Sequence, residues 1–137
     1  MAVAVLRKLF AEAGVTAEVR SAGTHAVLGE PAHPDACAVA EQAGLDLAGH
    51  RSQPLTAALV RWADVVLGMA RGHVVRARDL DDAADVRLIT EFDPAGRHAG
   101  GVVDPIGHDR EVYDDVFSHI SLCLEVFIEN RDRPVVS

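Results

Sequence analysis

Val102-Val103-Asp104-Pro105-Ile106-Gly107 runs a short apolar approach into an acid, a proline and a glycine. Pro105 fixes its own φ and keeps Asp104 out of the helical region, and Gly107 permits a tight exit. The pattern predicts a carboxylate held on a stiff loop, just ahead of a helix over 110–129. A carboxylate placed that way can serve as a general acid toward a substrate held by other elements. An isolated Asp-Pro-x-Gly is also a common turn, so the rest of the chain has to decide between the two.

The other chemically capable residues read more plainly. Asp93-Pro94 repeats the acid–proline pair and reads as a turn rather than a second acid. Cys37 and Cys123, the 2 cysteines, each sit inside an apolar helical pattern, so both read as buried, inert thiols. Neither opens a Gly-rich loop ending in Arg, so neither resembles a phosphate-binding nucleophile, and a disulfide framework is not supported. The 7 histidines (His25, His33, His50, His73, His98, His108 and His119) form no His-x-x-x-His pair, and Cys-x-x-Cys is absent. Hence no metal site and no cofactor is expected. Tyr113, one turn into the last helix, reads as packing rather than as a regulatory phosphosite.

Helical and strand periodicity indicate what must position these residues. Residues 2–13 carry Val3, Leu6, Phe10 and Ala13 at helical spacing, with Gly14 as a C-cap but no capping side chain in front. A short strand is expected over 17–22, ended by Gly23-Thr24, and a loop from His25 to Pro34. Pro34 opens a helix over 34–43 that Gly44 closes. Residues 45–54 are irregular, and Thr56 starts a short helix over 56–62. The clearest strand is 63–69, where Val65, Val66 and Leu67 run continuously apolar, as in a strand covered on both faces. An Arg-rich helix over 71–80, a strand over 85–89, a long loop over 91–109 and the final helix over 110–129 follow. From Asn130 onward a frayed tail is expected. Alternation of this kind means a parallel sheet with helices on both faces.

At 137 residues the chain is expected to be a single domain spanning 1–137. A net charge of −8 argues against nucleic acid as a partner, because phosphate backbones call for clustered Lys and Arg. No apolar run approaches the roughly 20 residues that span a bilayer, so no membrane is expected. The N-terminus lacks the pattern of a secretory signal, which makes the cytoplasm the default location. No feature points to a particular oligomeric state.

Taken together the motifs resemble a family. Ser21-Ala22-Gly23-Thr24, Gly29-Glu30-Pro31-Ala32, Gly49-His50-Arg51-Ser52 with Leu55-Thr56, Ala63-Asp64-Val65-Val66-Leu67-Gly68-Met69, then Glu91-Phe92 and Asp104-Pro105-Ile106-Gly107 stand in one register. Their order and spacing resemble the low-molecular-weight protein-tyrosine-phosphatase family over about residues 1–128. The resemblance implies a three-layer α/β/α fold around a four-stranded parallel sheet. It also implies phosphomonoester hydrolysis in two steps through a cysteinyl-phosphate. In that family a Cys-x5-Arg loop between the first strand and first helix supplies the nucleophile and cradles the phosphate at a helix N-terminus. The resemblance assigns Asp104 as the general acid, and Ser21 and His50 as polar residues supporting the phosphate loop from behind. It implies a phosphoprotein or a small phosphomonoester as substrate.

The chain departs from the family pattern at its start. Met1 aligns with a methionine inside the family's first helix, and Val3 stands where a Glu is usual. The first strand and the Cys-x5-Arg loop are therefore expected upstream of residue 1. A general acid without nucleophile or cradle should give negligible turnover; in a well-studied triad, losing the nucleophile costs on the order of 10⁶ in rate. The absent strand belongs between 17–22 and 63–69. Its loss removes roughly four or five buried aliphatic side chains at about 2 kcal/mol each, against a total domain stability of about 5–15 kcal/mol. A stable monomer is not expected of the chain as written. The simplest account is a fragment or an internal Met taken as the start. The alternative is a non-catalytic pseudophosphatase that pairs its open sheet with a partner. A receiver-like domain fits worse, since no acidic residue ends the clear strand at Met69. Ile106 replaces the aromatic that flanks the acid in many members, which weakens the expectation of phosphotyrosine and leaves phosphoarginine and arsenate as alternatives.

Overall fold

A computed structural model describes residues 1–24, 28–96 and 100–131. His25, His98 and the expected tail from residue 132 lie outside the described residues. Helix α1 spans Ala2–Glu12 and buries Val3, Val5 and Phe10. No side chain caps its start. It ends as expected on Gly14, whose φ of 70° suits a left-handed cap. The N–H groups of Gly14 and Val15 donate to the carbonyls of Ala11 and Phe10.

Helix α2 (Pro34–Gln42) starts on Pro34 and is capped by His33, whose Nδ1 accepts from the Asp35 N–H. Gly44 closes it with φ 77°. Helix α3 (Ala57–Trp62) is capped by Thr56, whose hydroxyl accepts from the Leu59 N–H at 3.2 Å. Strand β1 (Val66–Gly68) leads into α4 (Arg71–Leu80), and β2 (Val86–Leu88) leads into a 3₁₀ turn, Ile89–Phe92. Helix α5 runs from Arg110 to Arg131, two residues past its expected end.

The strands β1 and β2 pair in parallel, with Val66 opposite Val86 and Gly68 opposite Leu88. Both are shorter than the apolar runs that announced them. Side chains of β1 alternate between layers, as strand geometry requires. Val65, Leu67 and Met69 pack toward α1 and α5, while Val66 faces Val60, Val74 and Ala77 from α3 and α4. Helices therefore cover both faces of the sheet. On the α5 side, Val5, Phe10, Ile120, Leu124 and Phe127 form one cluster. Tyr113 joins α2 residues Val39 and Ala40 in a second cluster.

The expected strand over 17–22 is not there. Among the described residues the only pairing near it is an isolated parallel bridge between Gly23 and Pro54. A strand exists only through a ladder partner, and among the described residues nothing lies alongside 17–22 to provide one. Side chains take up carbonyls instead: Arg7 Nη2 donates to the Val19 carbonyl at 2.7 Å and Gln53 Nε2 to that of Ser21 at 2.9 Å. Among the described residues the sheet has two strands, not the three expected over 17–22, 63–69 and 85–89. No described helix is long and apolar enough to cross a membrane.

Candidate active site

The acid-bearing segment is pinned where β1 ends. The Val102 N–H donates to the Met69 carbonyl at 2.7 Å, and Gly101 bridges Ala70. Gly101 has φ 116°, and a Cβ there would overlap the Met69 carbonyl oxygen. Only glycine fits so close an approach. Past this anchor Asp104 is exposed, and its Oδ1 accepts from the Ile106 N–H at 3.0 Å. Gly107, at φ 84°, turns the chain toward α5, where Asp109 Oδ1 accepts from the Val112 N–H. One carboxylate oxygen thus fixes the loop, and the side chain still faces solvent.

Asp104 borders a groove of about 980 Å³. Ser21 and His50 border the same groove. One wall is the 15–24 segment with α1, the other is Val65–Met69, and α5 contributes Val116, Ile120 and Phe127. Strand β1 uses one edge for β2 and, among the described residues, pairs with no other strand. The three residues singled out in the sequence therefore meet around one concave surface beside an open strand edge.

His50 is half-buried, and its imidazole is held below the usual histidine pKa. Burial is the largest cause, followed by the positive charges of the Met1 ammonium, Arg7 and Arg51. Its loop is tied down through neighbouring backbone: the Ser52 N–H donates to the Glu30 carbonyl at 2.7 Å, and the Gly29 N–H to that of Ser52 at 2.8 Å. Ser21 is half-buried beside this loop, its carbonyl held by Gln53.

Neither thiol borders the groove. Cys123 is fully buried on the inner face of α5, and the Cys37 Sγ–H points at the Ala32 carbonyl, 3.9 Å away. Tyr113 is buried and stacked on His33 with centroids 5.1 Å apart, so it packs as expected. Its hydroxyl finds no hydrogen-bond partner among the described residues. Burial first, then the Asp35 and Asp104 charges, raise its pKa above the ordinary phenol value.

Two features went unread in the sequence. Arg20 stacks on Trp62 at the groove rim, its guanidinium carbon 4.1 Å from the ring centre. No spacing rule links residues so far apart. The second is Asp93. It forms a turn, as expected, with Oδ1 accepting from the Ala95 N–H at 2.9 Å. Its side chain is also fully shielded, and Oδ2 meets His119 Nε2 at 2.8 Å. Cys123 completes this cluster, with the three ligand-type atoms within 4.8 Å of one another. A signal for half of it existed: His119-x-x-x-Cys123 has the one-turn spacing of a His-x-x-x-His pair, with a thiol in second place.

Residues 1–134 match the family described as low molecular weight phosphotyrosine protein phosphatase. The chain belongs to this family. The probable low molecular weight protein-tyrosine-phosphatase EpsP of Ralstonia solanacearum is 32% identical over 130 residues, covering 93% of this chain and 83% of that protein. The protein-arginine-phosphatase of Geobacillus stearothermophilus is 33% identical over 96 residues, 70% of this chain and 64% of that one. Among solved structures, the tyrosine phosphatase Wzb from Escherichia coli K30, in complex with sulphate, superposes with a TM-score of 0.83 at 26% identity. That match covers 95% of this chain and 87% of the other. Low molecular weight phosphatases thus share this α/β architecture, a parallel sheet between helical layers.

Proposed function

We propose that residues 1–137 form one phosphatase domain that supplies the leaving-group acid and the loop supports of a phosphomonoesterase. In this reading Asp104 protonates the departing alkoxide or phenoxide. Ser21 and His50 brace a phosphate-binding loop seated in the groove. The observation that carries the reading is that these three residues, distant in the chain, line one groove beside the open edge of β1. The low pKa of His50 fits the bracing role, because a neutral imidazole can accept as well as donate a hydrogen bond.

The nucleophile is a separate matter. No Cys-x5-Arg occurs in the sequence, and both thiols lie away from the groove. Residues 1–137 alone therefore hydrolyse no phosphomonoester, and turnover requires a Cys-x5-Arg segment in the groove. The protein acts in the cytoplasm on a phosphoprotein or a small phosphomonoester. Both tyrosine- and arginine-phosphatase relatives fit, and exposed, aliphatic Ile106 beside Asp104 offers weaker stacking to a phenyl ring.

The deciding assay uses p-nitrophenyl phosphate on two proteins: residues 1–137, and the same residues joined to a strand and Cys-x5-Arg loop at the front. Turnover is expected only from the joined protein, and Asp104→Asn should slow it by about 10²–10⁴, the range for a general acid. An inactive joined protein, or an Asp104→Asn variant at full rate, sinks the reading. The open edge of β1 favours one second reading, a non-catalytic member that takes a strand from a partner chain. A folded joined protein without turnover would support it.

A further inference from the structure

We propose that Asp93, His119 and Cys123 form a buried site for a divalent transition metal of the zinc type. The cluster lies outside the groove, between the 3₁₀ turn at Ile89–Phe92 and the middle of α5. It joins one carboxylate, one imidazole and one thiol, with their ligand-type atoms within 4.8 Å of one another. Four ligands around a tetrahedral zinc, at about 2.0–2.3 Å from it, lie roughly 3.3–3.7 Å apart. The Asp93–His119 pair, now at 2.8 Å, would open slightly and the Cys123 sulfur would close in. Rotations of side chains suffice, because His119 and Cys123 already share one face of α5 a single turn apart.

The surroundings suit an ion. The Ala95 N–H holds Asp93 Oδ1, which fixes the carboxylate plane and leaves Oδ2 on the His119 side. Such a support is what orients a metal-bound carboxylate. Thr90 stands one 3₁₀ turn before Asp93 and buries an Oγ1 that has no hydrogen-bond partner among the described residues. Its hydroxyl, or a water, can complete four ligands. The charges also balance: a carboxylate, a thiolate and a neutral imidazole around a 2+ ion leave no net charge in the core. The mixed N, O and S set excludes magnesium and calcium, which take oxygen ligands. His119 keeps 12% of its side chain exposed, which gives the ion a way in.

Filling this site would clamp the start of the acid-bearing loop onto α5, because Asp93 is where residues 93–109 leave the 3₁₀ turn. Binding releases the Cys123 proton, so affinity falls as the solution is acidified.

The test is a Co(II) titration of residues 1–137 cleared of metal by chelation, followed by absorption, with Zn(II) as competitor. One equivalent of Co(II) should give a thiolate-to-cobalt charge-transfer band with tetrahedral d–d bands, and Zn(II) should abolish both. Zn(II) should also raise the midpoint of a cooperative thermal transition. Cys123→Ala should remove the charge-transfer band and Cys37→Ala should keep it. Asp93→Asn, which preserves side-chain shape, should weaken binding at least about tenfold, the scale on which even an outer partner of a ligand counts. Lack of a thiolate band, its survival in Cys123→Ala or its loss in Cys37→Ala would overturn the site. Binding without a cooperative transition would do the same, because only the fold brings the three ligands together. In any of these cases Asp93–His119 is a hydrogen bond and nothing more.

Discussion

Asp93 and His119 show how a buried side-chain pair helps to hold a loop. The Asp93 side chain is fully shielded, and a carboxylate there is tolerated only while paired. Removing His119 as Ala should cost about 1–3 kcal/mol in urea unfolding, the scale for losing one partner of a buried hydrogen bond, while Asp93 Oδ1 keeps the Ala95 N–H. Asp93→Asn should cost less, because an amide carries no charge to strand. At His50 the sign runs through protons. Its folded pKa lies below the ordinary histidine value, so the unfolded chain binds more protons as the pH drops through about 6.5. His50 therefore contributes full stability above that pH and loses it as the solution is acidified past it. His50→Gln should flatten the pH dependence of the unfolding midpoint between about pH 5 and 7. Equal slopes in both proteins would remove His50 from the account. Tyr113→Phe should be neutral or slightly stabilising, since it deletes a buried hydroxyl that lacks a partner among the described residues.

At the scale of elements, the acid-bearing loop depends on one glycine. Gly101 lies at φ 116°, and any Cβ there would meet the Met69 carbonyl and the Ala70 backbone. Gly101→Ala should cost about 1–3 kcal/mol through strain alone. It should also loosen the Val102–Met69 hydrogen bond and with it the placement of Asp104. Gly96→Ala, at φ 66° with no described atom within 4 Å of an added Cβ, is the control for φ alone. A Gly101→Ala midpoint no lower than that of Gly96→Ala would show that the close approach does not matter. What was legible in the sequence follows the same division. Gly14, Pro34 and Gly44 act through their own backbone and Thr56 through a hydroxyl three residues from its partner, and the helix ends they mark lie where the residues placed them. The stretch 17–22 has strand-like residues, yet a strand is a relation between two segments, and one segment cannot state it. The Asp93–His119 pair likewise joins a loop to a helix across a separation that no local pattern encodes. Asp104, Ser21 and His50 were singled out through several motifs standing in one register, not through any single one, and the fold lines one groove with all three.

The whole molecule is built around the groove as much as around its core. Apolar side chains from α1, β1 and α5 face a space of about 980 Å³, and the outer edge of β1 offers backbone groups with no ladder partner among the described residues. Exposed apolar surface and open strand edges both favour association, through the hydrophobic effect and through strand addition. The net charge of −8 opposes it by mutual repulsion. Salt screens that repulsion over about 10 Å at 0.1 M, whereas burial of apolar surface does not weaken with added salt. Residues 1–137 should therefore bind a hydrophobic dye in their folded state and associate more strongly as salt is raised. A strand and Cys-x5-Arg loop joined at the front should fill the groove. Dye binding should then fall, the salt dependence should vanish, and unfolding should sharpen as the core gains a layer. The burial of roughly four or five aliphatic side chains, at about 2 kcal/mol each, sets the size of that gain. Sedimentation at two salt concentrations, beside dye fluorescence of both proteins, decides the matter. If residues 1–137 stay monomeric and dye-free at high salt, their apolar walls close on each other in solution, and the groove needs no added strand.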